Sequence, residues 1–456
     1  MARMDDLGKG GGGGVVDRPP PFTNKLDAIG NELLRPGGPD VIRVTEKLAN
    51  GRSASIYFFA RVAKIEEILQ DDQCFSLSHY DDALAVVAGD VRFLLGVDDD
   101  DGKRHRKVEI IQNVIGKKGV GTLTKAADLQ KIARECARRV TQSLVRNGDG
   151  EFNVVRDFGY FVPYLVASRF LGVWGPPSPT LLVRAFLAIR NELKPGYRVD
   201  FTPEMTPCHV MVTWSHLIMG HIFSNFENRN RGLSIAAKLA SREFNKHLDG
   251  LISNRESIRF HDSLLPQFVA QKERFPEIDP GPFFALVRSI LFELAGAMII
   301  LVGLSFCNIL EALLRQNILL QDFARDTQGP NGAAVIDEAL RLNSTTANLF
   351  RRVSRPVTVA GAAMHHGDYV CMLIKRAGAD DAAYSHPERM HPDPLRPYLT
   401  FGRGPHACYG QYWARAILAE MFVALASLPN SGPKDAGAAQ MGMFAHMPDY
   451  LAWKYG

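Results

Sequence analysis

Apolar positions along this chain recur at two periods. Val41 to Leu48 and Ser53 to Ala60 are β-like runs on either side of Ala49-Asn50-Gly51-Arg52. Asn-Gly between two such runs predicts a hairpin, because both central positions of the tight turn need positive φ. Helical spacing takes over in Arg61 to Gln70, Leu129 to Val145, Val154 to Phe170, Gly232 to Ser257, Pro282 to Gln316 and Gln411 to Leu428. Phe75 to Val97 reads as a long loop with apolar patches, and Pro176 to Thr206 is rich in proline and apolar residues. Short β-like runs return at Pro356 to Ala360 and in a tail from Phe444 to Trp453. The predicted class is mainly α with small β regions, an α+β fold.

The most apolar stretch, Leu294 to Cys307, lies between Glu293 and Asn308. It is shorter than a membrane span needs and predicts a buried core helix. The chain has 456 residues, 46% of them hydrophobic, enough for a large core. After the first 22 residues no long linker interrupts it, so a single domain is expected over 23–456. Residues 1–22 are polar and rich in Gly and Pro (Gly10 to Gly14, then Pro19 to Pro21), which predicts a disordered segment and no apolar anchor. A formal net charge of +4 gives no case for nucleic acid. The six cysteines (Cys74, Cys136, Cys208, Cys307, Cys371, Cys408) are scattered without a Cys-x-x-Cys pair. That excludes a zinc-ribbon or disulfide-framework reading and suits a reducing compartment.

Chemistry concentrates in Phe401 to Gly410, FGRGPHACYG. Gly402, Gly404 and Gly410 permit a tight loop pressed against something large and flat. Cys408 lies just before a helix, whose dipole and unpaired N–H groups favour a thiolate. A buried thiolate needs a strong positive partner, and a metal supplies one. Phe-Gly-x-Gly-x-His-x-Cys-x-Gly matches, at its six fixed positions, the haem-binding loop of the cytochrome P450 superfamily, which this chain resembles. The resemblance implies haem b with Cys408 as the axial iron ligand. It also implies that Phe401 packs beside the thiolate and that His406 reaches a haem propionate.

Further landmarks of that family follow in its order. Its central helix usually carries Ala-Gly-x-Asp/Glu-Thr-Thr. This chain has Ala295-Gly296-Ala297-Met298-Ile299-Ile300, so the small pair beside the iron is present while Met298 and Ile299 replace the acid and the alcohol. They are expected to line the substrate pocket. Glu338 and Arg341 match the family's Glu-x-x-Arg, and i, i+3 spacing puts them on one helix face. Tyr384 to Met390 is similar to Phe-x-x-Pro-x-Arg-Phe, so Arg389 is expected to close a buried structural triad with them. The basic run Lys103 to Lys107, after the acidic Asp98 to Asp101, matches the place of a propionate-binding arginine. Arg106 is the candidate, with Arg104 or His105 if the register slips. Arg352 fits a second propionate partner, with Arg351 as the alternative.

The resemblance implies a monooxygenase acting on a hydrophobic small molecule, with electrons from an external ferredoxin- or flavodoxin-type donor. Two phrases, EALRLNSTTANLFRRV and YLTFGRGPHACYG, are similar to a branch related to lipid-hydroperoxide enzymes. A peroxygenase or hydroperoxide isomerase needs neither electrons nor the missing acid–alcohol pair, so it stands as the alternative. A haem sensor without turnover ranks last. A cytoplasmic monomer without a membrane anchor is expected.

Overall fold

Proline-started helices, alternating strands and glycine-led turns arrange the chain in the computed structural model, which describes residues 15–18, 26–47, 51, 53–88, 103–116, 121–147, 150–193, 198–224, 230–254, 260, 262–396, 398–435, 441–444 and 447–456. The order begins β1 (Val15–Arg18), α1 (Leu26–Leu34), β2 (Val41–Lys47), β3 (Ser53–Phe59), α2 (Val62–Gln70), β4 (Phe75–Ser76), α3 (Asp81–Ala88), α4 (Lys103–Ile115), α5 (Gly121–Asn147) and β5 (Glu151–Asn153). A π-helical segment (Val154–Tyr160) leads into α6 (Phe161–Leu171), α7 (Leu181–Leu193), α8 (Thr206–Ser224), α9 (Arg231–Ser253), α10 (Leu264–Ala270), α11 (Pro280–Gln316), α12 (Leu320–Thr327) and α13 (Gly332–Leu342). Then come β6 (Leu349–Val353), β7 (Val357–Val359), β8 (Ala362–Met364), β9 (Tyr369–Met372), α14 (Ile374–Ala377), α15 (Gln411–Ala426), β10 (Gly432–Pro433), β11 (Gly442–Phe444), β12 (Met447–Tyr450) and β13 (Ala452–Lys454). The described chain gathers into two compact units.

The first unit draws on Met1–His79, Thr346–Arg389 and Arg396–Ala407. Its main sheet has the order β1-β2-β3-β9-β6-β4. β2 and β3 pair antiparallel from Ile42↔Phe58 to Lys47↔Ser53, as the Asn-Gly signal expects. Of the turn itself, Asn50 and Arg52 lie outside the described residues, while Gly51 has φ +81. β3 then pairs parallel with β9. The N-terminal segment differs from its expectation. Val15–Arg18, inside the stretch read as disordered, forms β1 and pairs parallel with β2. The two β-branched valines carry the strand preference that the surrounding glycines and prolines mask in a compositional reading. Gly10 to Gly14 and Pro19 to Pro21 lie outside the described residues.

The second unit draws on Tyr80–Thr345, Met390–Leu395 and Cys408–Gly456. It is built around α11. Pro280 opens this helix at a position whose N–H would go unused, and Asn317 closes it in the left-handed conformation at φ 53. At 1.5 Å per residue the helix is about 55 Å long. It is long and apolar enough to cross a membrane, yet 72% of its most apolar window is buried inside the protein, as expected of a core helix. An aromatic string fixes the core around it: Phe158–Phe306 at 5.4 Å, Phe306–Phe422 at 4.9 Å and Phe323–Phe422 at 4.9 Å. The π segment lies close against α11 at Gly303, where a Cβ would meet the Tyr160 ring at 2.4 Å. Phe75 to Val97 is not one loop: β4 and α3 lie within it, and 89–97 falls outside the described residues.

Candidate functional site

Cys408 resumes the second unit three residues before α15. Cys136, Cys208, Cys307 and Cys371 are buried and Cys74 is partly so, whereas Cys408 is exposed. Burial pushes the Cys136 thiol up to about 11 and those of Cys208, Cys307 and Cys371 higher still. Those four therefore stay protonated and inert, and the most exposed thiol is the one at the head of α15. The Cys408 side of the loop is held from beside and behind. The Tyr409 hydroxyl donates to the Gly116 carbonyl at 3.3 Å. Arg415 grips Asp337 of α13 through two bonds of 2.8 Å. Glu420, 1% exposed, accepts from Arg134 and Gln130 of α5 at 2.8–2.9 Å.

On α11, Ala295, Gly296, Met298 and Ile299 are all buried. A Cβ on Gly296 would touch Met219 Cε of α8 at 3.0 Å, so the small residue there serves close helix approach. One turn earlier lies a buried polar group that the sequence reading did not single out. Lys107 of α4, 2% exposed at its side chain, pairs with Glu293 at 3.5 Å and donates to Ser289 at 2.8 Å. Arg106, the sequence candidate, is on the exposed face of α4. The side chains of Arg104 and His105, like Asp98 to Asp101, lie outside the described residues.

On α13, Glu338 and Arg341 form a bidentate ion pair at 2.7 and 2.9 Å, with side-chain exposures of 0% and 3%. The third member differs from expectation. Arg389 is 76% exposed and sits 3.5 Å from Glu388, so no buried triad forms with it. The His391 backbone N–H donates to Glu338 at 2.8 Å instead. A carboxylate already held by a fork-shaped guanidinium needs only a donor for its remaining lone pairs, and a main-chain N–H serves without a second buried charge.

In the first unit, the loop from Phe401 to Ala407 is folded by its glycines. Gly402 and Gly404 have φ +68 and +69, and a Cβ on Gly404 would lie 2.3 Å from the Leu69 carbonyl oxygen at the end of α2. Arg403 meets Glu66 of the same helix at 3.4 Å. Phe401 and His406 are both half-buried, His406 ending a 3-10 turn from Gly404. β6 presents Arg351 and Arg352 to opposite faces by strand alternation. Arg351 is buried and donates to the Phe350 carbonyl at 2.8 Å. Arg352 lies over the Tyr369 ring at 5.9 Å. Beside them His79 packs against Phe350 and Tyr369, and burial together with the two arginine cations pushes its imidazole down to about 3. The loop-like reading of its surroundings gave no signal for it.

Each unit supplies chemistry suited to a haem: in the second an exposed thiol at a helix head, in the first two guanidiniums on a strand suited to carboxylates. Among the described residues no cluster of three or more His, Cys, Asp or Glu side chains offers a different metal site.

Residues 332–428 match the family model of Cytochrome P450. A putative cytochrome P450, YjiB of Bacillus subtilis (strain 168), is 23% identical over 304 residues, 65% of this chain. The match spans 65% of that relative's own length, just under two thirds. Cytochrome p450 CYP199A2 of Rhodopseudomonas palustris is 32% identical over 120 residues, 25% of this chain and 29% of that one. Among solved structures, cytochrome P450 CYP109Q5 from Chondromyces apiculatus superimposes with a TM-score of 0.67 over 96% of this chain and 98% of its own, at 17% identity.

Proposed function

Since the chain belongs to the cytochrome P450 superfamily, we propose that it is a haem-thiolate oxidoreductase, a monooxygenase that oxidises a hydrophobic small molecule. Family membership implies a haem cofactor; we take it to be haem b. The observation that carries the reading is the exposed Cys408 ahead of α15, against cysteines elsewhere that burial keeps protonated. In this reading Cys408 is the iron ligand, and Phe401 shields the thiolate. Arg106, Arg352 and His406 meet the propionates, with Arg351 as the alternative to Arg352. Ala295 and the backbone at Gly296 lie beside the iron. The whole described chain acts as one haem domain.

Held by a thiolate, haem would supply an electron-rich iron suited to O–O bond cleavage, because the sulfur pushes electron density onto it. The protein must then orient the substrate and control protons and water. Met298 and Ile299 are the departure. Ile neither donates nor accepts a hydrogen bond and a thioether accepts only weakly, so neither relays a proton. A polar group of the substrate, or water held by the backbone, takes that part. Electrons come from a ferredoxin- or flavodoxin-type donor, and the protein works as a cytoplasmic monomer.

Dithionite-reduced protein under carbon monoxide is expected to show the long-wavelength Soret band of thiolate ligation. Purified Cys408→Ala is expected to lose it, and an unchanged spectrum in that variant would overturn the assignment.

The same dry pair at Met298 and Ile299 favours one second reading, a peroxygenase or lipid-hydroperoxide isomerase that starts from a ready-made O–O bond. Incubating the protein with lipids separates the two. Product with hydrogen peroxide or lipid hydroperoxide and no electron donor supports the second reading; product only with NAD(P)H and redox partners supports the first.

A further inference from the structure

The π segment, α7, α8 and β12 line a partly open cavity of about 70 Å³ within the second unit, and Ile300 of α11 contributes to its wall. Its polar lining is Arg156 and Tyr160 of the π segment, Arg190 of α7, His209, Thr213 and His216 of α8, and Asp449 of β12. We propose that this cavity is a binding site for a small oxyanion, the carboxylate or phosphate-like group of a ligand, held chiefly by Arg156.

Charge and hydrogen bonding argue for it together. Two guanidiniums face the cavity against one carboxylate. That carboxylate is committed: Asp449 accepts from both Nε and Nη2 of Arg190, which is 1% exposed. Arg190 also donates to Asn191 Oδ1 at 3.0 Å. Arg156 is left in surplus. Its Nη1 donates to the Arg198 carbonyl at 2.8 Å, while its Nε is buried and makes no hydrogen bond. A buried guanidinium N–H without an acceptor is costly, and an arriving oxyanion would supply the acceptor. The neighbouring Asp157 accepts from the Asn153 N–H at 3.0 Å and acts on Arg156 through its charge, leaving the Arg156 Nε without an acceptor.

The other lining groups agree. Burial, then the two arginines, push the His209 imidazole down to about 4, so at neutral pH it presents one donor and one acceptor and adds no charge. Burial likewise depresses the Arg156 guanidinium, which a counter-anion would reverse. The volume takes roughly five water-sized spheres, about a carboxylate or tetrahedral oxyanion with a water beside it. The π segment is what aims Arg156 and Tyr160 here. Tyr160 donates to the Pro448 carbonyl at 3.1 Å, and such wide turns inside helices recur at binding sites. None of this depends on haem.

The test titrates full-length protein, prepared in chloride buffer, with acetate, phosphate or sulfate at constant ionic strength. Thermal unfolding and the imidazole NMR signals are followed, with His209 assigned through His209→Gln. At least one oxyanion should raise Tm saturably and lift the His209 pKa from near 4. Binding should tighten as pH falls, with Arg156, Arg190, Asp157, Asp449 and His216 as the surrounding charges and titrating groups. Arg156→Gln should weaken it at least tenfold. Acetate alone acting would assign a carboxylate ligand; all three acting would assign oxyanions in general. A Tm rise that chloride matches, no movement of His209, or equal affinity in a folded Arg156→Gln would overturn the proposal. The His209 shift in the unsubstituted protein decides the question even if the variant does not fold.

Discussion

Two ionic clusters of the second unit are made from the same chemical groups, guanidinium and carboxylate, and end up opposite in character. On α13, Glu338 and Arg341 close on each other through two hydrogen bonds, and the His391 N–H completes the carboxylate. No donor or acceptor is left for a ligand to improve. Around the π segment, Arg190 and Asp449 make a similar pair, but Arg156 stands beside it with a buried Nε lacking a partner, next to open space. The first cluster is saturated and serves folding. The second is one acceptor short, which is the condition for binding. Burial alone therefore does not say what a charge is for; the hydrogen-bond account does.

The largest test of this contrast is Glu338→Ala. It strands Arg341 without a counter-charge and is expected to cost about 3–5 kcal/mol, read by chemical denaturation, together with loss of well-folded protein. Wild-type stability in that variant would remove the saturated cluster from the comparison. Next is the acid limb of stability. His209 is held neutral in the fold, so its folded pKa of about 4 lies below the unfolded value near 6.5. As pH drops between those values the unfolded chain takes up a proton that the native state refuses, and stability falls across that window before levelling near pH 4. His79, pushed down to about 3, extends the same trend to lower pH. His209→Gln should flatten the upper part of the limb in a Tm-versus-pH series. An identical slope in that variant would contradict the assignment.

A smaller effect is expected at the unsaturated cluster. Without oxyanion, Arg156→Gln should change stability by less than about 1 kcal/mol, because it removes a desolvated charge along with one bond to the Arg198 carbonyl. A cost near that of Glu338→Ala would mean that Arg156 is as structural as Arg341. Smallest of all, Arg389→Ala should lie within about 0.5 kcal/mol, since its partnership with Glu388 is at the surface. A large loss there would restore the triad that Arg389 does not form in this structure.

Much of the fold was legible in the sequence wherever a local pattern suffices. The apolar run before Asn308 and the helical spacing from Pro282 mark α11, which opens two residues earlier at Pro280, and the spacing in EALR puts Glu338 and Arg341 on one face of α13. The loop around Cys408 was legible because glycine, proline and cysteine each answer to a specific backbone or chemical need. What escaped is set by distant partners. The parallel pairing of β3 with β9 joins residues some three hundred positions apart. Arg389 sits in a stretch matching a buried motif, yet only the packed chain shows its side chain at the surface. The charged cavity escaped because Arg156, Arg190, His209 and Asp449 come from four separate elements, only Arg190 lying within the proline-rich, apolar stretch Pro176 to Thr206. Lys107 was missed for a related reason, since a run of five basic residues does not say which one turns inward.

The parallel strand at Val15–Arg18 also decides how this molecule can be handled. β1 is the outermost strand of its sheet, and β2 behind it carries a longer row of main-chain groups from Val41 to Lys47. The opposite border, β4, is only two residues long and offers little to copy. Removal of the residues before Leu26, by a protease or in a shortened expression version beginning there, would strip the cover but keep α1, and would leave β2 as a template for strand addition by another chain. Clumping after such a cut would arise from an uncovered border, with the core itself intact.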